Sequence, residues 1–235
     1  MRHPIPSGPW PLPRLWRAIL LVLALAGGVL LLTGISSAFD LGLVQRIAAK
    51  NSRGQTQATV AAWIRLLADA QNLGDSDKLK SVNDFLNRNL RFEDDQTLWG
   101  QSDYWATPLE TLTAGAGDCE DFSIVKYFTL KAIGIPTSRL RLIYVRAQLG
   151  GPTSGMSQAH MVLAYYPSPD SEPLVLDNLI SEIRSASRRA DLSPVFSFNS
   201  DGIWAGTGAG QATHDTSRLS RWRDLLARAR IEGFD

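Results

Sequence analysis

The chain has 235 residues, 44% of them hydrophobic and 20% charged, with a formal net charge of +1. That is enough apolar material for one ordinary core with a helical appendage, and it excludes a disordered chain or a repeat array. The first 38 residues carry Arg2, Arg14 and Arg17 and no acid; the rest holds 21 basic against 23 acidic residues, which excludes the footprint of a nucleic-acid binder.

The chain opens with a proline-rich, purely cationic stretch to Arg17, then an uncharged run from Ala18 to Ile35, then Ser36, Ser37 and Ala38. Positive, apolar and small-residue segments in this order read as a secretory signal cleaved after Ala38. The run is short for a membrane span, and an uncleaved anchor is the alternative. The arginines before it favour a cytoplasmic N-terminus and a domain outside the cytoplasm. Residues 39–235 are expected to form that single domain.

A helix is expected from about Asn51 to Gln71, with Val60, Trp63, Ile64 and Leu67 on one face. A second is expected from Ser76 to about Leu90, capped by Asp75 or Ser76, with the stripe Leu79, Val82, Phe85, Leu86 and Leu90. Glu93 to Pro108 is polar and aromatic and reads as a loop. An apolar helix follows from about Cys119 to Ile133, stopped by Gly134 and Pro136. Arg139–Val145, His160–Tyr166 and Pro173–Asp177 have strand character, and Leu149–Gln158 is a Gly/Ser-rich loop. A further polar stretch leads to an amphipathic helix around Ser217–Ile231, with Leu219, Trp222, Leu225, Leu226 and Ala229 on the side that docks on the body. Helices first and an antiparallel sheet after them argue an α+β domain.

Cys119 is the only cysteine. It cannot form an intramolecular disulfide, so in an exported protein it is a free thiol that needs a reason. Asp118 is a good N-cap, and Asp121 completes something close to a capping box. Cys119 then begins a buried helix, where free amides and the helix dipole favour a thiolate and can hold an oxyanion. If the two later strands form a hairpin folded about the middle of Pro167–Glu172, His160 faces Asp177 and Val162 faces Val175. Facing residues have Cβ atoms roughly 5 Å apart. A slip of two residues would keep the face and make the pair diagonal. Asp177 can then orient the imidazole of His160 and leave its other nitrogen for the thiol. Singly, such a cysteine, histidine or aspartate is ordinarily structural; together they read as a thiol-nucleophile site.

At these residues the sequence resembles the bacterial transglutaminase-like cysteine proteases. The resemblance runs from about Val82 to Trp204 and rests on Gly117-Asp118-Cys119-Glu120-Asp121, Gly134-Ile135-Pro136, Ala159-His160-Met161-Val162-Leu163 and Val175-Leu176-Asp177-Asn178. It implies a papain-like core with the triad Cys119, His160 and Asp177. It implies Ca2+ held by Asp118 and Glu120, with Asp121. It implies a substrate, the N-terminal region of a large surface adhesin cut next to a di-alanine, and a partner, the periplasmic domain of an inner-membrane c-di-GMP receptor. The charges agree with a cation: three acids around Cys119 would raise its pKa, and a hard cation would reverse that field. Without the resemblance, three acids at a helix start read as caps. A cross-linking transglutaminase or an amide hydrolase would use the same triad, and a non-enzymatic calcium module would use only the acids.

Overall fold

The computed structural model describes residues 39–150, 154–208, 212 and 219–234. The targeting segment at 1–38 and the first part of the expected 217–231 helix lie outside the described residues, as do 151–153 of the expected loop. Among the described residues no helix is long and apolar enough to cross a membrane.

Three helices come first: α1 (Leu41–Asn51), α2 (Gln55–Ala70) and α3 (Asp75–Asn89). The helix expected from Asn51 to Gln71 is α2, beginning four residues later, and α1 before it was not expected. The break between them is Gly54, whose φ of +57° and ψ of −124° are not helical, while Ser52 closes α1 by bonding back to the Ala48 carbonyl. The short strand β1 (Arg91–Phe92) follows, then α4 (Asp95–Trp99), α5 (Pro108–Ala114), strand β2 (Ala116–Gly117) and α6 (Cys119–Ala132). The segment read as a loop from Glu93 therefore contains α4. Asp94 caps it, accepting from the Thr97 amide at 2.9 Å, a local signal too short to show as periodicity. α5 carries a full capping box between Thr107 and Glu110 with proline at its start.

The sheet consists of β3 (Leu140–Gln148), β4 (Ser157–Tyr165), β5 (Leu174–Leu176), β6 (Arg184–Ser185), β7 (Leu192–Phe198) and β8 (Ile203–Ala205), in the order β6-β5-β4-β3-β7-β8. Its ladders are all antiparallel. β6, β7 and β8 fall in the stretch read only as polar. β7 is exposed along its first half, so it lacks the alternation that marks a half-buried strand. α7 (Ser220–Glu232) closes the chain.

α6 is apolar on nearly every side, and residues 121–130 of it are buried, as expected for a helix enclosed by other elements. It lies on β4, where the Ser123 hydroxyl donates to the Met161 carbonyl at 3.0 Å. α2 reaches it through the indole of Trp63, which donates to Thr129 Oγ1 at 3.0 Å. α7 presents Trp222, Leu225 and Ala229 to the same core. Trp222 packs edge-on to Tyr127 at 5.6 Å and to Phe198 at 5.4 Å. Phe39 and Phe234 form a bridge beside Trp63. The helix that begins at Cys119 is thereby held from three sides, and Cys119 at its start is only partly buried.

Candidate active site

Cys119 is the first residue of α6, and the backbone around it is set by two contacts. Asp118 Oδ1 accepts from the amides of Glu120 at 3.1 Å and Asp121 at 3.4 Å, so Asp118 is the N-cap the sequence implied. Asp121 does not reach back to complete a capping box. It is fully buried and its Oδ1 accepts from the Ala106 amide at 2.8 Å, because the loop before α5 packs over the helix start. Gly117 makes this approach possible: a Cβ there would stand 2.6 Å from Asp121 Cβ. The caps also use up most of the first-turn donors. Phe122 donates to the Asp118 carbonyl and Asp118 takes two more amides, which leaves the amide of Cys119 itself as the first-turn donor for an oxyanion, fewer than the sequence suggested.

The register of the hairpin differs from the expected one by two residues. Leu163 pairs with Leu176, Ala164 with Val175 and Tyr165 with Leu174. The axis is the turn Ser168–Ser171, closed by the Ser171 amide on the Ser168 carbonyl at 3.1 Å and by the Ser168 amide on Ser171 Oγ at 2.9 Å. The ladder stops at Leu176, and Asp177 lies diagonal to His160 rather than opposite it, on the same face as side-chain alternation requires. The diagonal is closed by the side chains: His160 Nε2 lies 2.8 Å from Asp177 Oδ1, with both residues buried. Asn87 fixes the turn of the chain by donating to the Asp177 carbonyl at 2.8 Å. Burial by itself would raise the Asp177 carboxyl. The bonds from His160, Arg189 and the Leu179 amide outweigh it and bring the carboxyl down to about 2. Asp177 is therefore an anion, and it selects the imidazole tautomer with a proton on Nε2. Nδ1 is then free for the thiol.

Cys119 and His160 line one cleft of about 270 Å3, together with Asp118, Glu120 and Tyr144 and with Phe92 and Leu179 at its rim. Phe92 is 61% exposed and Leu179 49%, so the rim offers apolar surface to an incoming chain. A larger groove of about 530 Å3 runs along α3 beside Leu174 and Ile183, but it holds neither thiol nor imidazole; the smaller one, which holds both, is the candidate site.

Acids crowd Cys119. The thiol of Cys119 donates to Glu120 Oε2 at 2.8 Å. Burial first, and then Glu120 and Asp118, push this thiol far above the ordinary cysteine range. The helix dipole alone does not supply a thiolate here, contrary to the simplest reading of the sequence. Asp118 is raised to about 9 by burial and by Glu120, Asp121 and Asp95. Asp121 is raised to about 8 by burial and then by Asp95 and Glu120, and Asp95 to about 6 by burial and then Glu120. Two residues absent from the sequence reading join the cluster. Asp95, on α4, has a carboxylate oxygen within 4.8 Å of oxygens of Asp118 and Asp121, and likewise of Asp103 and Glu120. Oδ1 of Asp95 and Oδ2 of Asp121 are buried without a hydrogen-bond partner. Orphaned buried carboxylate oxygens in an oxygen-only donor set fit a hard divalent cation of the calcium type. No local pattern ties Asp95 and Asp103 to Cys119, since they are distant from it in sequence and lie in a polar, aromatic segment without periodicity. Asp94-Asp95 was the available signal.

The family is evident from comparison as well as from the site. The chain belongs to the bacterial transglutaminase-like cysteine proteinases, whose family model matches residues 53–191. Among solved structures it is similar to calcium-bound LapG of Legionella pneumophila, with 39% identity over 79% of this chain and 96% of that one and a TM-score of 0.69. It is also similar to EGTA-treated LapG, at 40% identity over 79% and 95% with a TM-score of 0.69, and to a third LapG structure, at 41% identity with a TM-score of 0.67. Curated proteins gave no match. The fold is accordingly transglutaminase-like, with helices against an antiparallel sheet.

Proposed function

We propose that this protein is a calcium-dependent cysteine endopeptidase with Cys119 as nucleophile, His160 as acid–base and Asp177 as the orienting anion. The observation that carries the reading is the junction of three elements at one cleft: the thiol at the start of α6, and beside it an imidazole on β4 whose Nε2 is 2.8 Å from a buried carboxylate. In this reading the Cys119 thiol gives its proton to His160 Nδ1, and the resulting thiolate attacks a peptide carbonyl carbon. The Cys119 amide donates to the oxyanion. His160 then passes the proton to the departing amine, leaving a thioester. A water deprotonated by His160 attacks that thioester and releases the acid and the thiol. Asp177 stabilises the imidazolium in both half-reactions.

Asp118, Glu120, Asp121 and Asp95 would hold calcium, with Asp103 at the outer side. The bound cation supplies positive charge that offsets the carboxylates around the thiol and so makes the thiolate accessible at neutral pH. Similarity to a protein solved in calcium-bound and EGTA-treated forms supports this assignment.

The proposed substrate is the N-terminal region of a large surface adhesin, cut next to a di-alanine. Its cleavage would release the adhesin and disperse a biofilm. The proposed site of action is the periplasm, the enzyme being exported or held at the inner membrane by residues 1–38. The periplasmic domain of an inner-membrane c-di-GMP receptor is the proposed sequestering partner. The experiment is incubation with an adhesin N-terminal fragment, with calcium and with EGTA, followed by mass spectrometry of the products. Hydrolytic fragments in calcium alone, and none with Cys119→Ala, are expected. Joined polypeptides would make the enzyme a transglutaminase, and an active Cys119→Ala protein would remove the nucleophile from the mechanism.

A further inference from the structure

The two oxygens of Asp177 have different partners. Oδ1 takes His160 Nε2 and, at 3.1 Å, the amide of Leu179. Oδ2 takes Nη2 of Arg189 at 2.7 Å. Arg189 lies in the irregular segment between β6 and β7, yet it is 2% exposed. Its guanidinium is forked onto a second acid, with Nε 3.0 Å from Asp191 Oδ1 and Nη2 2.8 Å from Asp191 Oδ2. A bidentate fork of this kind fixes the plane of the guanidinium. The chain of contacts therefore runs Asp191, Arg189, Asp177, His160, from the rim of the domain to the imidazole.

We infer that Arg189 is a positioning residue of the reaction, acting on the Cys119 thiol through Asp177 and His160. This rests on the triad read under the proposed function. A carboxylate held through Oδ1 alone, by His160 and the Leu179 amide, can still swing about its terminal torsion, which is soft. With Oδ2 tied to a guanidinium that Asp191 holds in plane, Oδ1 stays aimed at Nε2, and Nδ1 is kept unprotonated beside the cleft that Cys119 also lines.

Charge gives a second reason. Asp177 must be an anion in the resting state, when His160 is neutral and contributes no countercharge. The other cation facing it is Lys126, two turns along α6, buried, and over the Phe122 ring at 5.9 Å. Burial lowers that ammonium to about 7, with Asp177 pulling the other way, so its charge is not permanent at neutral pH. A guanidinium is charged at every pH the protein meets. Of the groups around Asp177 (His160 on β4, Lys126 on α6, Arg189 with Asp191 before β7), Arg189 alone combines a permanent charge with a fixed direction.

The test is the rate of Cys119 alkylation by iodoacetamide in the full chain, at neutral pH and saturating calcium, across a double-mutant cycle. Arg189→Met should slow alkylation about tenfold, less than the roughly 10²–10⁴-fold ascribed to a positioned acid–base group itself because Arg189 acts at one remove from the imidazole, and Arg189→Lys should recover about threefold of that. In an Asp177→Asn background Arg189→Met should change the rate less than about twofold, because a residue acting through Asp177 has nothing left to act on. A purely structural role would give the same loss in both backgrounds. Asp191→Asn, which only frees the guanidinium, should slow alkylation about twofold to threefold. It carries the test if circular dichroism shows that Arg189→Met does not fold. Wild-type rates for Arg189→Met, or for both Arg189→Lys and Asp191→Asn, overturn the inference, as does an undiminished effect in the Asp177→Asn background. His160→Ala separates the two levels: if it slows alkylation and the Arg189 variants do not, only the inference falls. If His160→Ala leaves the rate unchanged, the triad reading falls and the inference with it.

Discussion

Gly117→Ala tests whether the acid cluster is built by contact at a single backbone position. The new methyl would sit 2.6 Å from Asp121 Cβ and 2.7 Å from Asp121 Oδ2, closer than carbon atoms approach in folded proteins. Neither side can yield cheaply. Asp121 is fully buried with Oδ1 tied to the Ala106 amide at 2.8 Å, and residue 117 is paired with Phe92 in the small sheet. Overpacking of this kind costs about 1–3 kcal/mol. For a domain near 200 residues each kcal/mol moves Tm by about 2–4 °C, so a fall of roughly 2–12 °C is expected in EGTA. The displaced Asp121 Oδ2 should also weaken calcium. A tenfold loss of affinity removes about 1.4 kcal/mol of ligand stabilisation at fixed excess calcium. Differential scanning calorimetry with EGTA and with calcium reads both quantities. Because the nearest atom is Asp121 Cβ, adding Asp121→Ala should not restore the EGTA melting temperature. Alanine at 117 with an unchanged Tm and an unchanged calcium increment would show that the cluster is not packed as described.

Asp177→Asn should lower kcat on the order of 10²-fold or more with little change in KM, since an amide neither selects the right tautomer nor stabilises the imidazolium; steady-state kinetics on the cleaved fragment check this. Asp118→Ala, Glu120→Ala and Asp95→Ala should each abolish the calcium-dependent rise in Tm, which for the wild type should reach about 2.7 kcal/mol at a hundredfold excess over Kd; an equal loss with and without metal would reduce these acids to helix caps. The pH dependence has a definite sign. Asp95, Asp118 and Asp121 are raised to about 6, 9 and 8 in the fold, so their contribution to calcium-free stability is complete below the ordinary aspartate range and is lost as pH rises through these values. Calcium binds the ionised forms. In EGTA, Tm should therefore fall between about pH 5 and 9, and the increment from calcium should grow over the same interval; a calcium increment that shrinks with rising pH would contradict the assignment.

Much of the site was legible in the sequence because it is local. A glycine, a capping aspartate and a cysteine at the head of an apolar run specify a helix N-terminus without help from the rest of the chain, and Cys119 sits where that pattern puts it. His160 on β4 followed from alternation, and so did the face it shares with Asp177. The two-residue offset did not, because it depends on which four residues make the turn, and Ser168 and Ser171 decided that with side-chain bonds. β7 is not marked by alternation for a related reason: its first half faces solvent, and its pairing with β3 and β8 makes it a strand.

What the chain's own order of residues determined is the chemistry available: one thiol, an imidazole and a carboxylate on strands of the right parity, and acids flanking the nucleophile. Tertiary structure decided how that chemistry is conditioned. Asp95 on α4 and Asp103 just beyond it reach the cluster from well before Cys119 in sequence, and Arg189 reaches Asp177 from the segment between β6 and β7. Burial and the crowding of like charges raise the acids around Cys119, while the bonds from His160, Arg189 and the Leu179 amide lower Asp177 against its own burial. Periodicity and capping are properties of neighbours along the chain, whereas the field at a buried atom is summed over neighbours in space, and those exist only once the core has closed.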